Sequence, residues 1–182
     1  MKNSTKKHTT ASLVFIALTA AIMSILSQFS LPSPTGVPVT LQTFAFALVG
    51  YILLPKRALY SILLYLLLGA VGLPVFANLR GGLMHLLGPT GGFLFGGLLF
   101  VPLSGFGGKC KRPVQAIALG LAGLILCHAA GISQYAFLTK NTLQTSFLLV
   151  SMPYLAKDVL CVIGAYFAGT FIRKQLARNG II

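Results

Sequence analysis

The run TTASLVFIALTAAIMSILSQFSLPSPTGVPVTLQTFAFALVGYILLP, residues 9–55, contains no charged side chain over 47 positions. A helix needs about 20 apolar residues to cross the hydrocarbon core of a bilayer, so this run is long enough for two crossings and a turn. Helix-breaking residues mark the turn at Pro32, Pro34, Gly36 and Pro38. The run therefore predicts a pair of membrane spans, near residues 11–30 and 41–54.

Three more charge-free runs follow, at 58–79, 81–108 and 113–139, with lengths of 22, 28 and 27 residues. Only 8% of all residues are charged, against roughly a quarter in a soluble domain. We therefore expect an all-α membrane protein with six transmembrane helices in a single domain over residues 1–182. The remaining spans are predicted near 58–73, 90–106, 114–138 and 147–172, with a Gly-rich outer loop between helices 3 and 4.

The cationic residues predict the orientation of this domain, because Lys and Arg collect in short cytoplasmic loops. With the N-terminus inside, 11 of the 14 cations lie on the cytoplasmic side, in segments that include a basic N-terminus at 1–10 and a basic tail at 173–182. Both termini are therefore predicted to be cytoplasmic. The net charge of +13 is spread over short loops. This distribution favours contact with anionic lipid headgroups and not with a nucleic acid.

The acid count excludes most enzymes, since Asp158 is the sole carboxylate side chain and acid/base pairs and two-metal chemistry need at least two. No G-x-x-x-x-G-K-[ST] run is present, so ATP-driven work would need a partner. His8, His85 and His128 are too scattered to predict a metal site. We expect no cofactor and no metal, and we interpret the three cysteines as reduced packing residues.

Asp158 is the strongest candidate for a functional residue, because a carboxylate within a span is costly and needs a partner. Its neighbour Lys157 points about 100° away on a helix, so a pair between the two is not the obvious arrangement. Two interpretations stay open: Asp158 contacts a ligand, or it clamps a neighbouring helix in a structural or assembly protein.

Other polar groups are predicted on the outer side. Gln42 opens the second span, and Asn78 and Arg80 lie in the outer loop, so they and Asp158 could meet in one outward-facing pocket. Helix capping by Gln42 and a surface position for Arg80 are the alternatives. Gly91 and Gly92 lie at the start of the fourth span, where free backbone N–H groups favour an anionic ligand group. Gly92 also follows Gly88 by four residues, a spacing that fits close helix packing as well.

A further small-residue pair, Ala17 and Ala21, lies on the first span. From composition alone, internal helix packing is the favoured interpretation over docking of an external helix.

Several stretches resemble one known family, the biotin-specific substrate-binding (S) subunits of energy-coupling factor transporters, of the BioY type. They are Val-Pro-Val-Thr-Leu-Gln-Thr-Phe at 37–44, Gly-Leu-Pro-Val-Phe-Ala at 72–77, Gly-Pro-Thr-Gly-Gly-Phe at 88–93, and Pro153-Tyr154 followed by Asp158. The resemblance covers nearly the whole chain, and its motifs occur in the family's order.

The resemblance implies a non-enzymatic protein of the bacterial cell (inner) membrane that captures biotin with high affinity from outside. It also implies a transmembrane coupling protein and two ATPase subunits as partners, and it reverses the expectation for Ala17 and Ala21 towards docking of that partner. An S component for a different small vitamin is the nearest alternative.

The same resemblance implies a set of site residues. Asp158 would accept hydrogen bonds from the ureido N–H groups of biotin, and Asn78 or Gln42 would complement the ureido group. Arg80, Lys157 or the Gly91–Gly92 amides would meet the biotin carboxylate, with apolar walls from residues Phe76, Phe93 and Tyr154. The family usually has a lysine three positions after the aspartate, where this chain has Cys161, so one cation beside Asp158 is missing.

Overall fold

A computed structural model describes residues 2–31 and 37–179, with side chains described from Thr10 onward. The predicted turn residues Pro32, Pro34 and Gly36 and the last three residues of the tail lie outside this part. The described chain is all-α apart from one pair of two-residue strands. Its elements are α1 Lys2–Gln28, β1 Ser30–Leu31, β2 Val39–Thr40, α2 Gln42–Ala70, a 3₁₀ turn Ala77–Leu79, α3 Leu83–Leu86, α4 Gly91–Gly107, α5 Pro113–Thr139, α6 Leu143–Val150 and α7 Met152–Arg178.

Four helices of the described chain are long and apolar enough to cross a membrane. They are the Thr10–Gln28 part of α1 and the whole of α2, α5 and α7, while α4 is a shorter apolar helix of 17 residues. This finding supports a membrane protein. The number of crossings then depends on the path of α2.

Helix α2 folds back on itself at Leu54, whose backbone is non-helical (φ 66°, ψ 166°) and precedes Pro55. The side-chain amide of Gln42 lies 3.3 Å from the hydroxyl of Tyr65, which is 23 positions later. A straight helix would separate these residues by about 35 Å. Helix α2 is therefore two antiparallel arms, which occupy the positions of the predicted second and third spans.

Helix α4 packs closely against α5, with glycine at the contact. A Cβ atom on Gly92 would lie 2.4 Å from the Ala130 carbonyl oxygen, and one on Gly96 would lie 2.6 Å from Cys127 Cα. The absence of side chains at these two positions lets the helix backbones approach, as in other membrane helix pairs. The packing interpretation of the spaced glycines is therefore correct for this pair.

The predicted last span, 147–172, is wrong at its start. Two helices, α6 and α7, meet at Ser151, whose φ and ψ are −127° and −58°. Pro153 then lies in the first turn of α7, where its missing N–H costs no helical hydrogen bond. Thr142 caps α6 by accepting a hydrogen bond from the Thr145 amide at 3.1 Å. This break places the start of α7 beside the functional site.

Candidate functional site

A cavity opens between the helices at the end of the bundle where α2, α4 and α7 begin. Its volume is about 90 Å³, below the roughly 300–1,000 Å³ typical of small-molecule sites, so a bound ligand would require the lining to shift outward. The polar and charged side chains that line it are Thr40, Gln42, Thr43, Asn78, Arg80, His85, Thr90, His128, Tyr154, Lys157 and Asp158.

Asp158 is the centre of this cavity, and only 4% of its surface is exposed. One carboxylate oxygen, Oδ2, lies 3.2 Å from Nε2 of His128, and Nδ1 of the same ring lies 2.7 Å from the Ser151 hydroxyl. All three residues are buried. The carboxylate is therefore held by a chain of polar groups that joins α7, α5 and the α6–α7 break.

The direction of hydrogen bonding along this chain follows from the donors and acceptors present. An ionised carboxylate can only accept, so Nε2 of a neutral His128 carries the proton and donates to Asp158. Nδ1 is then an acceptor, and the Ser151 hydroxyl donates to it. The carboxylate thus sets the tautomer of His128, and Ser151 holds the other side of the ring, so that His128 orients the carboxylate.

Lys157 reaches the other carboxylate oxygen, with Nζ 2.5 Å from Oδ1. The expectation that these neighbours would not pair is wrong, because the long lysine side chain bends back across the 100° between them. Its ammonium also donates to the Thr40 carbonyl at 2.8 Å. Oδ1 is buried and contacts the Lys157 ammonium, and because a carboxylate oxygen can accept two hydrogen bonds it has room for one more donor.

Residues 71–86, which follow α2 and include the predicted outer loop, form the outer segment. Gln28 at the end of α1 holds this segment in place. The Gln28 side-chain oxygen accepts a hydrogen bond from the Leu79 amide at 2.9 Å. Its nitrogen donates to the carbonyls of Pro74 and Phe76 at 3.1 and 3.0 Å. Asn78 adopts a positive φ of 59° within this tight loop, a conformation that Asn tolerates better than most residues. Gln28 thereby presents Asn78 to the cavity.

Arg80 and His85 lie on the same outer segment. Arg80 is exposed and lines the cavity, so it stands at the mouth of the site. Burial and, second, the nearby Arg80 charge lower the pKa of His85, which favours its neutral form near pH 7. Arg80 is thus the cation at this mouth that is open to solvent, whereas Lys157 is engaged by Asp158 and Thr40.

Seven of the ten predicted binding residues line the cavity: Asp158, Asn78, Gln42, Arg80, Lys157, Phe93 and Tyr154. Gln42 is no helix cap, since its amide donates to the hydroxyl of Tyr65.

Phe76, Gly91 and Gly92 lie elsewhere. Phe76 is fully buried and packs between Tyr65 and the His85 ring, with centroids 5.4 and 5.3 Å away. Both glycines are buried where α4 meets α3 and α5, and the Gly91 amide already donates to the Gly88 carbonyl.

Sequence analysis missed His128, Ser151 and Gln28. A lone histidine in an apolar run gives no signal by itself, and Ser151 gains its role only because α6 ends there. Spacing offered no way to see that α5 passes beside Asp158. The nearest indication in the sequence is Cys161, which stands where the family usually has a lysine, so the carboxylate needs other donors.

Two side chains of α7 tie the segment 37–40 to the bundle beside the cavity. The Tyr154 hydroxyl donates to the Val37 carbonyl at 2.7 Å, and Lys157 donates to the Thr40 carbonyl. Because Val37 and Thr40 both line the cavity, these bonds help to keep its volume small. Entry of a ligand would require this segment or the opposite outer segment to move.

The fold and the site together define a class: an α-helical membrane protein with a pocket at one end of the bundle in which apolar walls and convergent polar groups are combined. Such pockets bind small molecules. Residues 1–178 match the model of the BioY family. The chain belongs to the BioY family.

Named relatives and one solved structure agree with this assignment. The chain is 36% identical over 170 residues to "Biotin transporter BioY2" of Lactococcus lactis subsp. cremoris, covering 92% of this chain and 93% of that protein. It is 36% identical over 146 residues to "Probable biotin transporter BioY" of Pyrococcus horikoshii, covering 80% and 85%. The crystal structure of the S-component for biotin from an ECF-type ABC transporter superposes with a TM-score of 0.84 at 26% identity, covering 96% and 95%.

Proposed function

We propose that this protein captures biotin as the S component of an energy-coupling factor transporter and delivers it across a bacterial cell membrane. The similarity to named biotin transporters over most of both chains supports this function. The family is one of transporter components and not of enzymes. The buried carboxylate of Asp158, held by His128 and Lys157 inside the cavity, is the observation that carries the assignment of the site.

The ligand's chemistry suggests how the residues are used. Biotin offers two ureido N–H donors and, at the other end of an apolar chain, a carboxylate. Oδ1 of Asp158 accepts a ureido N–H, and Gln42 or Asn78 complements the ureido carbonyl. Arg80 at the cavity mouth meets the carboxylate, because Lys157 is held by its ion pair with Asp158. Tyr154 and Phe93 supply walls.

The transmembrane arrangement that fits best has six crossings and both termini in the cytoplasm. Helices α1, α4, α5 and α7 contribute one each, and the two arms of α2 contribute two. The basic segments support this orientation: Lys56, Lys109 and Arg173 meet around one cavity at the end opposite the ligand site. Arg80 and Lys140, the two cations that this orientation leaves outside, follow elements that end on the ligand side.

Helix α1 is the proposed contact with a transmembrane coupling protein, which two ATPase subunits would drive. Ala17 and Ala21 are exposed on α1, as are the apolar side chains Leu18 and Ile25. Alanines that pack within the bundle are buried, as Ala20 is at 1% exposure. The exposure supports docking of a partner helix over internal packing.

Titration of the purified protein with radiolabelled biotin, with a panel of other vitamins as competitors, tests the proposed function. We expect saturable binding below micromolar concentration and displacement by unlabelled biotin alone. Displacement by another vitamin at equal concentration would identify a different substrate. Absence of saturable binding, with no thermal stabilisation by biotin, would instead favour a structural protein in which Asp158 clamps helices.

A further inference from the structure

A second cavity lies at the end of the bundle opposite the ligand site. It has a volume of about 670 Å³ and is formed by the reversal of α2 and the ends of α4 and α7. Along α7, Arg173 in this cavity follows Asp158 by fifteen residues, which corresponds to about 22 Å of helix. The two cavities are therefore separate sites.

Four cations from three segments converge on this second cavity: Lys56, Arg57, Lys109 and Arg173. The chain has one acidic side chain, Asp158, and it lies in the other cavity. Like charges gathered around one space repel each other, and more strongly where water is partly excluded, as it is at the half-buried Arg57 and Arg173. The positive-inside rule explains basic loops, but it does not require cations from distant loops to share a cavity without a counter-charge.

The positions of these cations are set by the fold. Arg173 donates a hydrogen bond to the Gly108 carbonyl, which links the end of α7 to the end of α4. The Lys109 ammonium lies 5.5 Å from the centre of the Phe106 ring. The remaining lining is apolar and consists of Ile52, Leu53, Leu54, Pro55, Leu59, Pro102, Phe106 and Ala177. The cavity thus combines fixed positive charge with walls suited to a hydrocarbon chain.

We propose that this basic cavity binds the phosphate headgroup of one anionic phospholipid, with the upper part of an acyl chain against the apolar walls. Basic pockets between membrane helices on the cytoplasmic side are suited to such headgroups. A soluble phosphate ion would use the cations but leave the apolar walls unfilled, so a lipid is the occupant that accounts for both features. The inference does not depend on the identity of the ligand in the first cavity.

Native mass spectrometry of the full-length protein, released from nanodiscs of phosphatidylcholine with or without phosphatidylglycerol, tests the proposal. We expect one retained phosphatidylglycerol per protein and no retained phosphatidylcholine. The double variant R57Q/R173Q should retain about tenfold less phosphatidylglycerol. The matched control R112Q/K174Q removes two cations of the same loops that do not line the cavity, and it should retain the lipid as the unchanged protein does. Biotin binding should be the same in all three.

Several results would overturn the proposal. Equal loss of lipid in both double variants would mean diffuse surface charge, and equal retention in both would mean no site. Displacement of the lipid by inorganic phosphate at similar concentration would mean a phosphate site and not a lipid site. If R57Q/R173Q does not fold, the melting temperature of the unchanged protein is measured in both lipids instead. We expect a higher melting temperature with phosphatidylglycerol than in phosphatidylcholine alone, and no increase would contradict the proposal.

Discussion

At the scale of single residues, the site depends on how one carboxylate is held. Asp158 has one oxygen in contact with His128 and the other near Lys157, so its orientation is fixed before a ligand arrives. A preorganised acceptor avoids the cost of ordering the group during binding. The two oxygens have different neighbours, with Oδ2 against His128 and Oδ1 against Lys157.

Replacing the Asp158 carboxylate with an amide should weaken biotin binding but not abolish it. We expect Asp158→Asn to lower biotin affinity by roughly thirtyfold, about 2 kcal/mol, because a neutral amide accepts an N–H less strongly than a carboxylate. Equilibrium binding of radiolabelled biotin measures this, and the melting temperature without ligand reports the separate effect of losing the ion pair. Unchanged affinity in a folded variant would remove Asp158 from the site.

His128 and Ser151 give a second test at this scale. Ser151→Ala removes the partner of Nδ1 and leaves this buried ring nitrogen without its hydrogen bond, so the ring is oriented less firmly and biotin affinity should fall several-fold. Ser151→Thr retains the hydroxyl and should restore most of it, whereas a purely packing role would be disturbed by the extra methyl group as well. If Ser151→Ala and Ser151→Thr bind biotin with the same affinity as each other, whether or not it is lower than that of the unchanged protein, the positioning role is contradicted.

The sequence predicted the residues whose chemistry is unusual for their surroundings and missed those whose role depends on tertiary contact. Asp158 stands out because a buried charge is costly wherever the helix lies. His128 has ordinary surroundings in the sequence, and its role exists only because α5 and α7 are neighbours. Phe76 was assigned to the pocket wall from motif resemblance, yet the stacking on His85 turns its ring into the core.

At the scale of elements, charge-free runs located the apolar segments well but could not give their path. The reversal at Leu54 separates α2 into two arms at the boundary predicted between the second and third spans, but the positive φ of Leu54 has no signal beyond the proline that follows. The start of α7 was misplaced for a related reason, since the apolar character is continuous across Ser151 while the backbone is not.

Helix α1 carries the prediction that belongs to this scale. Ala17→Leu together with Ala21→Leu should block assembly with the coupling protein and abolish uptake of biotin, because bulky side chains prevent close approach of a partner helix. Biotin binding by the isolated protein should be unchanged, since both positions face away from the bundle. The control is Ala122→Leu, an exposed alanine on α5. Co-purification measures assembly, and normal co-purification of the α1 double variant would disprove docking at these alanines.

At the scale of the whole molecule, the charge distribution and the two cavities indicate the same orientation of the protein in the membrane. The ligand cavity contains the sole acidic side chain and opens beside Arg80, whereas the opposite cavity gathers the cations of three loops. An asymmetry of this size orients a membrane protein during insertion, with the cation-rich end left in the cytoplasm. The same charges predict the outward-facing ligand site that is proposed above.

Cysteine labelling of intact cells tests this polarity. In a background with Cys110, Cys127 and Cys161 changed to Ala, we expect a membrane-impermeant maleimide to label Asn141→Cys, in the exposed connection after α5, but not Lys174→Cys until the cells are permeabilised. Both positions are exposed in the fold, so access depends on the side of the membrane alone. Labelling of both from outside would require the polarity of α7 to differ from that of the bundle. Labelling of position 174 alone would invert the protein and place the ligand cavity on the cytoplasmic side, where it could not capture a vitamin from the exterior.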